Sequence, residues 1–196
     1  YYPMAWSRDG QLMISASDDQ PLEKWDTTTG NRLLTYTGHK GLLKAIAWSP
    51  DESIVASGGA DTDVHIWNAT SGDTQFVYSG HRGQIQALSW SPSSKRVASA
   101  GSDGFVHVWN ADGSDLLVYT AHRPRSINAM SWSPDGTKIA SVGDDRKVRI
   151  WNALNGQTLY TYEEHTETVT LVAWSPDGEY LASASNDETI RVWHVI

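Results

Sequence analysis

VAWSPDGEYLASASNDETIRVW, Val172–Trp193, decides how the chain is read. It holds an apolar run, a Pro-Asp-Gly turn, an alternating run, an Asn-Asp turn and a third run ending in Trp. Period-two alternation bounded by turn residues is the pattern of short half-buried strands. The same string occurs four more times: MAWSRDGQLMISASDDQPLEKW from Met4, IAWSPDESIVASGGADTDVHIW from Ile46, LSWSPSSKRVASAGSDGFVHVW from Leu88 and MSWSPDGTKIASVGDDRKVRIW from Met130. The leading tryptophans are Trp6, Trp48, Trp90, Trp132 and Trp174; the closing ones are Trp25, Trp67, Trp109, Trp151 and Trp193. Both series step by 42 residues and together use all ten tryptophans. Such a period marks one supersecondary unit per repeat, each unable to bury its faces alone.

Each unit reads as four strands and three turns. Ser-Pro-Asp-Gly at 133–136 and 175–178 places Pro where φ near −65° is needed and Gly where φ can be positive. Asp26-Thr-Thr-Thr-Gly30 and Asn68-Ala-Thr-Ser-Gly72 are further turns, and the runs Arg32–Tyr36, Thr74–Tyr78, Leu116–Tyr119 and Thr158–Tyr162 follow the closing tryptophans. No helical period is visible. Four-stranded antiparallel units repeating at this length point to the blades of a β-propeller.

The units resemble WD40 repeats of the bacterial type. The resemblance spans essentially the whole chain and rests on a Gly-His-like dipeptide, a Ser, an Asp and a closing Trp-Asp or Trp-Asn, in fixed order and spacing. Gly38-His39 and Gly80-His81 match; Ala121-His122 and Glu164-His165 keep only the His. The closing dipeptide is Trp25-Asp26, then Trp-Asn three times, then Trp193-His194. The implied fold is all-β: a WD40 propeller of five blades, at about 1–37, 38–79, 80–120, 121–163 and 164–196, the last lacking its outer strand.

The resemblance also implies a structural tetrad in each blade: His39, Ser57, Asp61 and Trp67; His81, Ser99, Asp103 and Trp109; His122, Ser141, Asp145 and Trp151; His165, Ser183, Asp187 and Trp193. Blade one keeps Ser15, Asp19 and Trp25. A turn Asp can accept backbone N–H bonds, a His beside it can bond both carboxylate and Ser, and the indole N–H is a further donor, so the four groups can satisfy one another when buried.

Asp, His and Ser in one set also invite a hydrolase reading. Four copies at fixed spacing, with each Ser inside a strand and not on a Gly-x-Ser-x-Gly elbow, argue instead for structure. No catalytic residue, cofactor or metal site is therefore expected. Of the seven histidines, four belong to tetrads, His194 is near the end, and His65 and His107 alternate with apolar strand residues and are expected to face outward. A net charge of −8 argues against a nucleic-acid binder. The absence of cysteine excludes disulfides and thiolate metal sites, and no apolar run is long enough for a membrane helix. A cytoplasmic location is the expectation.

Binding is expected on the loops, through a protein or peptide partner. The loop after each tetrad His carries Lys40 and Leu42, Arg82 and Gln84, Arg123, Arg125 and Ser126, or Thr168; the residues before the tetrad Asp include Asp18, Asp144 and Asn186. Varied side chains on a constant frame are what a recognition surface requires. His122 to Trp132 is one residue longer than the equivalent stretches, and the extra residue falls in Arg123-Pro124-Arg125. Arg123, Arg125, Arg146 and Lys147 make blade four locally basic, while Glu163, Glu164 and Glu167 make the next loop acidic. These charges either meet a partner of complementary charge or pair with one another.

Residue 1 falls in an innermost strand and the chain stops near the third strand of the last unit. Three arrangements fit: a piece of a longer propeller, which is preferred, a chain that completes itself with other copies, or a closed five-bladed ring. The leading expectation for function is a non-catalytic interaction scaffold or sensor; the alternative is a self-assembling structural propeller fragment whose partner is another copy.

Overall fold

The computed structural model describes residues 3–17 and 21–195. Asp18 and Asp19 lie outside the described residues. Nineteen strands and no helix occur among the described residues. Blade one contains β1 (Met4–Trp6), β2 (Leu12–Ser15), β3 (Leu22–Asp26) and β4 (Arg32–Tyr36). Blade two contains β5 (Leu43–Trp48), β6 (Ile54–Gly59), β7 (Val64–Asn68) and β8 (Thr74–Tyr78). Blade three contains β9 (Ile85–Trp90), β10 (Arg96–Gly101), β11 (Val106–Asn110) and β12 (Leu117–Tyr119). Blade four contains β13 (Ile127–Trp132), β14 (Lys138–Gly143), β15 (Val148–Asn152) and β16 (Thr158–Tyr162), and blade five β17 (Val169–Trp174), β18 (Tyr180–Ser185) and β19 (Ile190–His194). Each blade is an antiparallel meander in chain order: four sheets of four strands and one of three.

The turns explain why the meander forms. The fourth residue of the Ser-Pro-Asp-Gly turn is left-handed in every blade: Gly10 (φ 72°), Glu52 (61°), Ser94 (61°), Gly136 (70°) and Gly178 (76°). Blades two and three hold a non-glycine residue there, in a conformation that L side chains disfavour. The Asp or Asn after the closing Trp bends the next turn. Asn68 Oδ1 accepts from the amides of Thr70 (2.8 Å) and Ser71 (2.9 Å), and Asp26 Oδ1 does the same for Thr28 and Thr29. Both residue types supply that oxygen, so they interchange.

The core lies between blades, not within them. First strands of successive blades touch one another, so they are innermost. Val64 and Ile66 of β7 pack forward onto Ile85, Trp90, Val97 and Trp109 of blade three. Val106 and Val108 do the same against Ile127, Trp132, Ile139 and Trp151. The last strand contributes a tyrosine that stacks on the next blade's closing tryptophan: Tyr36 on Trp67 (4.7 Å), Tyr78 on Trp109 (4.7 Å), Tyr119 on Trp151 (4.4 Å) and Tyr162 on Trp193 (4.3 Å). Stacks of this kind add to the energy of area burial.

The leading tryptophans stitch the inner strands. Trp48 Nε1 donates to the Ala5 carbonyl (3.2 Å), Trp90 to Ala47 (3.1 Å), Trp132 to Ser89 (3.3 Å) and Trp174 to Ser131 (3.1 Å). Trp6 has no described blade behind it and is 56% exposed. At the other flank Ile190 and Val192 are 76% and 66% exposed, whereas the corresponding Val148 and Ile150 of blade four are fully buried.

Candidate functional site

In blades two to five the tetrad residues meet at one end of the blade. In blade two, His39 Nδ1 lies 2.7 Å from Asp61 Oδ2, His39 Nε2 lies 2.8 Å from Ser57 Oγ, and the Trp67 indole donates to the same Oγ (3.1 Å). Blade five repeats this with His165, Asp187, Ser183 and Trp193 at 2.8, 2.8 and 3.0 Å. In blade four, His122 Nδ1 lies 3.0 Å from Asp145 Oδ2, its Nε2 lies 2.8 Å from Ser141 Oγ, and Trp151 donates to Ser141 (3.1 Å). In blade three His81 reaches Asp103 (3.0 Å) and Ser99 (2.8 Å), but the buried Trp109 N–H has no acceptor. In blade one Trp25 donates to Ser15 (3.1 Å).

In blades two, three and five the carboxylate also fixes the loop that follows the His. The amides of Lys40, Arg82 and Thr166 donate to Asp61, Asp103 and Asp187 at 3.0, 2.9 and 3.1 Å. Burial opposes ionisation of Asp103, yet the bonds from His81, Arg82 N–H and Phe105 N–H outweigh it and hold its pKa at about 2. Asp103→Ala leaves His81 Nδ1 and two amides unpaired and is expected to cost about 1–3 kcal/mol of stability. A thermal melt unchanged within error would refute that role.

The hydrolase reading fails on access. Ser57, Ser99 and Ser141 are fully buried and Ser183 is 2% exposed, so no substrate carbonyl reaches their hydroxyls.

The outward placement expected for His65 and His107 is wrong: both are buried. His65 stacks on His39 at 3.8 Å with its Nδ1 2.8 Å from the Tyr36 hydroxyl; His107 stacks on His81 at 4.1 Å with its Nδ1 2.7 Å from the Tyr78 hydroxyl. The preceding blade covers what looks like a solvent face in one strand. Sequence reasoning missed this second layer, although its position, two residues before the closing Trp, was visible in the repeat. Blade four uses Arg149 there. Its guanidinium lies 2.8 Å from His122 Nδ1 and pairs with Asp145.

Burial first, and then the neighbouring His39 and His81, lower the pKa of His65 and His107 from an ordinary 6.5 to about 4; Asp61, Asp63 and Asp103 oppose this weakly. The folded chain thus binds fewer protons than the unfolded chain between those values. The contribution of these residues to stability is complete above pH 6.5 and is lost as pH falls toward 4. The melting temperature is expected to drop between pH 7 and 4.5, and more shallowly in a His65→Gln/His107→Gln variant. Identical slopes would discredit the two histidines as the cause.

His39, Asp61 and His65 place potential metal ligands within 4.8 Å of one another, and the buried Asp61 Oδ1 is unpaired. The imidazoles are stacked with an interplanar angle of 25°. Near-parallel rings send their nitrogen lone pairs side by side, not to one point, so this cluster is not a ready-made ligand set.

The loops expected to bind share one rim. In four blades the carbonyl of the loop residue accepts from the turn before the tetrad Asp: Leu42 from Ala60 (2.8 Å), Gln84 from Ser102 (2.9 Å), Ser126 from Asp144 (3.0 Å) and Thr168 from Asn186 (2.9 Å). Gly143 has no room for a Cβ, because that atom would collide with the Ser126 carbonyl. Lys40, Leu42, Arg82, Gln84, Arg123, Arg125, Asp144 and Asn186 are exposed on this rim, and Ser126 and Thr168 are half-buried.

A family model described as IFT122 first beta-propeller matches residues 1–152, and one described as WD domain, G-beta repeat matches residues 156–194. The chain belongs to the WD40 β-propeller family. A search of the curated proteins finds no match. WD40 propellers are generally non-enzymatic and generally mediate protein–protein interaction. In this WD40 chain the rim charges divide into two groups. Lys147 pairs with Glu163, and Arg191 donates to Glu164 (2.6 Å). Arg82, Arg123 and Arg125 enter no ion pair among the described residues.

Proposed function

We propose that the chain is a non-catalytic scaffold or sensor module that presents its tetrad-end rim to a protein or peptide. The observation that carries this reading is the division of labour within each blade. Polar groups that could do chemistry are consumed in buried networks, while the exposed residues of the two loops they anchor differ from blade to blade. A rigid frame with variable loops keeps the entropic cost of binding low.

The test immobilises the chain and compares what it captures from cell extract with a variant reversed at the rim. Arg123→Glu/Arg125→Glu is expected to lose the captured partner while melting as wild type. Undiminished capture would discredit this edge.

A second reading, self-assembly, rests on the uncovered flanks. Ile190, Val192 and Leu171 form an exposed forward face on blade five, and Trp6 and Met4 are exposed on the rear of blade one. Faces of these two kinds pack together at every blade junction within the chain, so one copy's forward face suits another's rear face. Light scattering separates the readings. A concentration-dependent rise in mass that Ile190→Asp/Val192→Asp abolishes favours self-assembly, and a monomer at all concentrations removes it.

A further inference from the structure

Between blades three and four the rim opens into a hollow of about 530 Å³ whose lining includes Arg82, Asp103, Phe105, His107, Val118 and Arg123. It deepens the rim-binding reading and rests on it. We infer that this hollow is the subsite for an acidic residue of an extended peptide partner, with an apolar neighbour of that residue seated on Val118.

Charge comes first. Arg82 and Arg123 are exposed and enter no ion pair among the described residues. The one acid in the lining, Asp103, is already saturated. Its Oδ1 accepts from Phe105 N–H (3.1 Å), its Oδ2 accepts from Arg82 N–H (2.9 Å), and His81 Nδ1 stands at 3.0 Å. His107, on the wall, is held neutral, its pKa lowered to about 4 by burial and by His81. Two arginines without an acid partner among the described residues therefore line the hollow beside one committed carboxylate, in a protein whose net charge is −8. An acidic partner is repelled by most of the surface and is drawn to this place.

Preorganisation comes next. The Arg123 guanidinium carbon sits 4.7 Å above the Phe105 ring centroid, so the ring holds the cation in place. A guanidinium fixed on an aromatic face still offers its N–H fork to a carboxylate, and the planar fork favours a two-oxygen acceptor. Val118 is 40% exposed and continues the apolar floor beside Phe105. A peptide alternating acidic and apolar side chains matches both features.

The equivalent hollow between blades four and five lacks this character. It is lined by Asp145, Arg146, Lys147, Glu163, His165 and Thr166, and its Lys147 is already paired with Glu163. The one-residue extension at Arg123-Pro124-Arg125, which sets this loop apart in the sequence, thus falls where the free cations are.

The test uses a fluorescein-labelled peptide of alternating Glu and Leu, with a Lys-Leu peptide of equal length as control, read by fluorescence anisotropy at low salt. The full chain is expected to bind the Glu-Leu peptide and not the Lys-Leu peptide. Arg82→Ala/Arg123→Ala is expected to weaken binding at least about tenfold with an unchanged melt, while the charge-matched Lys44→Ala/Lys95→Ala stays within about twofold. No binding by wild type, equal binding of the Lys-Leu peptide, or equal loss in both double variants overturns the inference. Any of these, alongside capture that still depends on Arg123 and Arg125, removes the acidic subsite and leaves the rim reading standing.

Discussion

Asp145→Ala is expected to be the most damaging single change at a polar residue, lowering stability by about 3–5 kcal/mol. Asp61, Asp103 and Asp187 answer to a histidine and to loop or turn amides, with the Thr189 hydroxyl added at Asp187. Asp145 also holds Arg149, a buried guanidinium on the neighbouring strand. Burial would raise the Asp145 pKa, but the bond and charge of His122 and the Arg149 cation lower it. Burial likewise lowers the pKa of His122, favouring its neutral form. Removing the carboxylate therefore strands a permanent cation inside the blade. A denaturant titration of Asp145→Ala checks this, and a loss no greater than that of Asp103→Ala would refute the extra contribution of the cation. Asp145→Ala/Arg149→Met removes the stranded charge and is expected to regain much of the loss.

Trp151→Ala is expected to cost about 3–5 kcal/mol, and the chemically identical change at Trp6 less than about 0.5 kcal/mol. Trp151 is fully buried, stacks on Tyr119 at 4.4 Å and donates to Ser141 at 3.1 Å. Its loss empties a site between two sheets, where the backbones of blades three and four cannot close in. Trp6 is more than half exposed at an uncovered flank. Thermal melts of the two variants check the contrast, and equal shifts would mean that the rear of blade one is covered in solution.

Much of the fold was legible because its signals are local. A turn needs a residue that tolerates positive φ within four positions, and an Asp or Asn oxygen caps amides two and three residues on. The tetrad followed from the resemblance to WD40 repeats, and the geometry brings His39, Ser57, Asp61 and Trp67 into one chain of contacts. What spacing could not supply is the state of each copy. Glu52 and Ser94 take the left-handed conformation that glycine takes elsewhere, and Trp109 keeps an unpaired N–H where its counterparts donate to a serine. The rim charges looked alike in the sequence, yet Lys147 has its acid beside it while Arg123 lies over an aromatic ring.

By itself the sequence determined the period, the order of strands and the turn chemistry, since each depends on groups a few positions apart or repeated at constant spacing. Only the tertiary structure decided which tryptophans are buried, that His65 and His107 form an inner layer, and which arginines are free to bind. Those outcomes depend on what the adjacent blade covers, and a strand's two faces look the same in sequence until a neighbouring sheet excludes water from one of them.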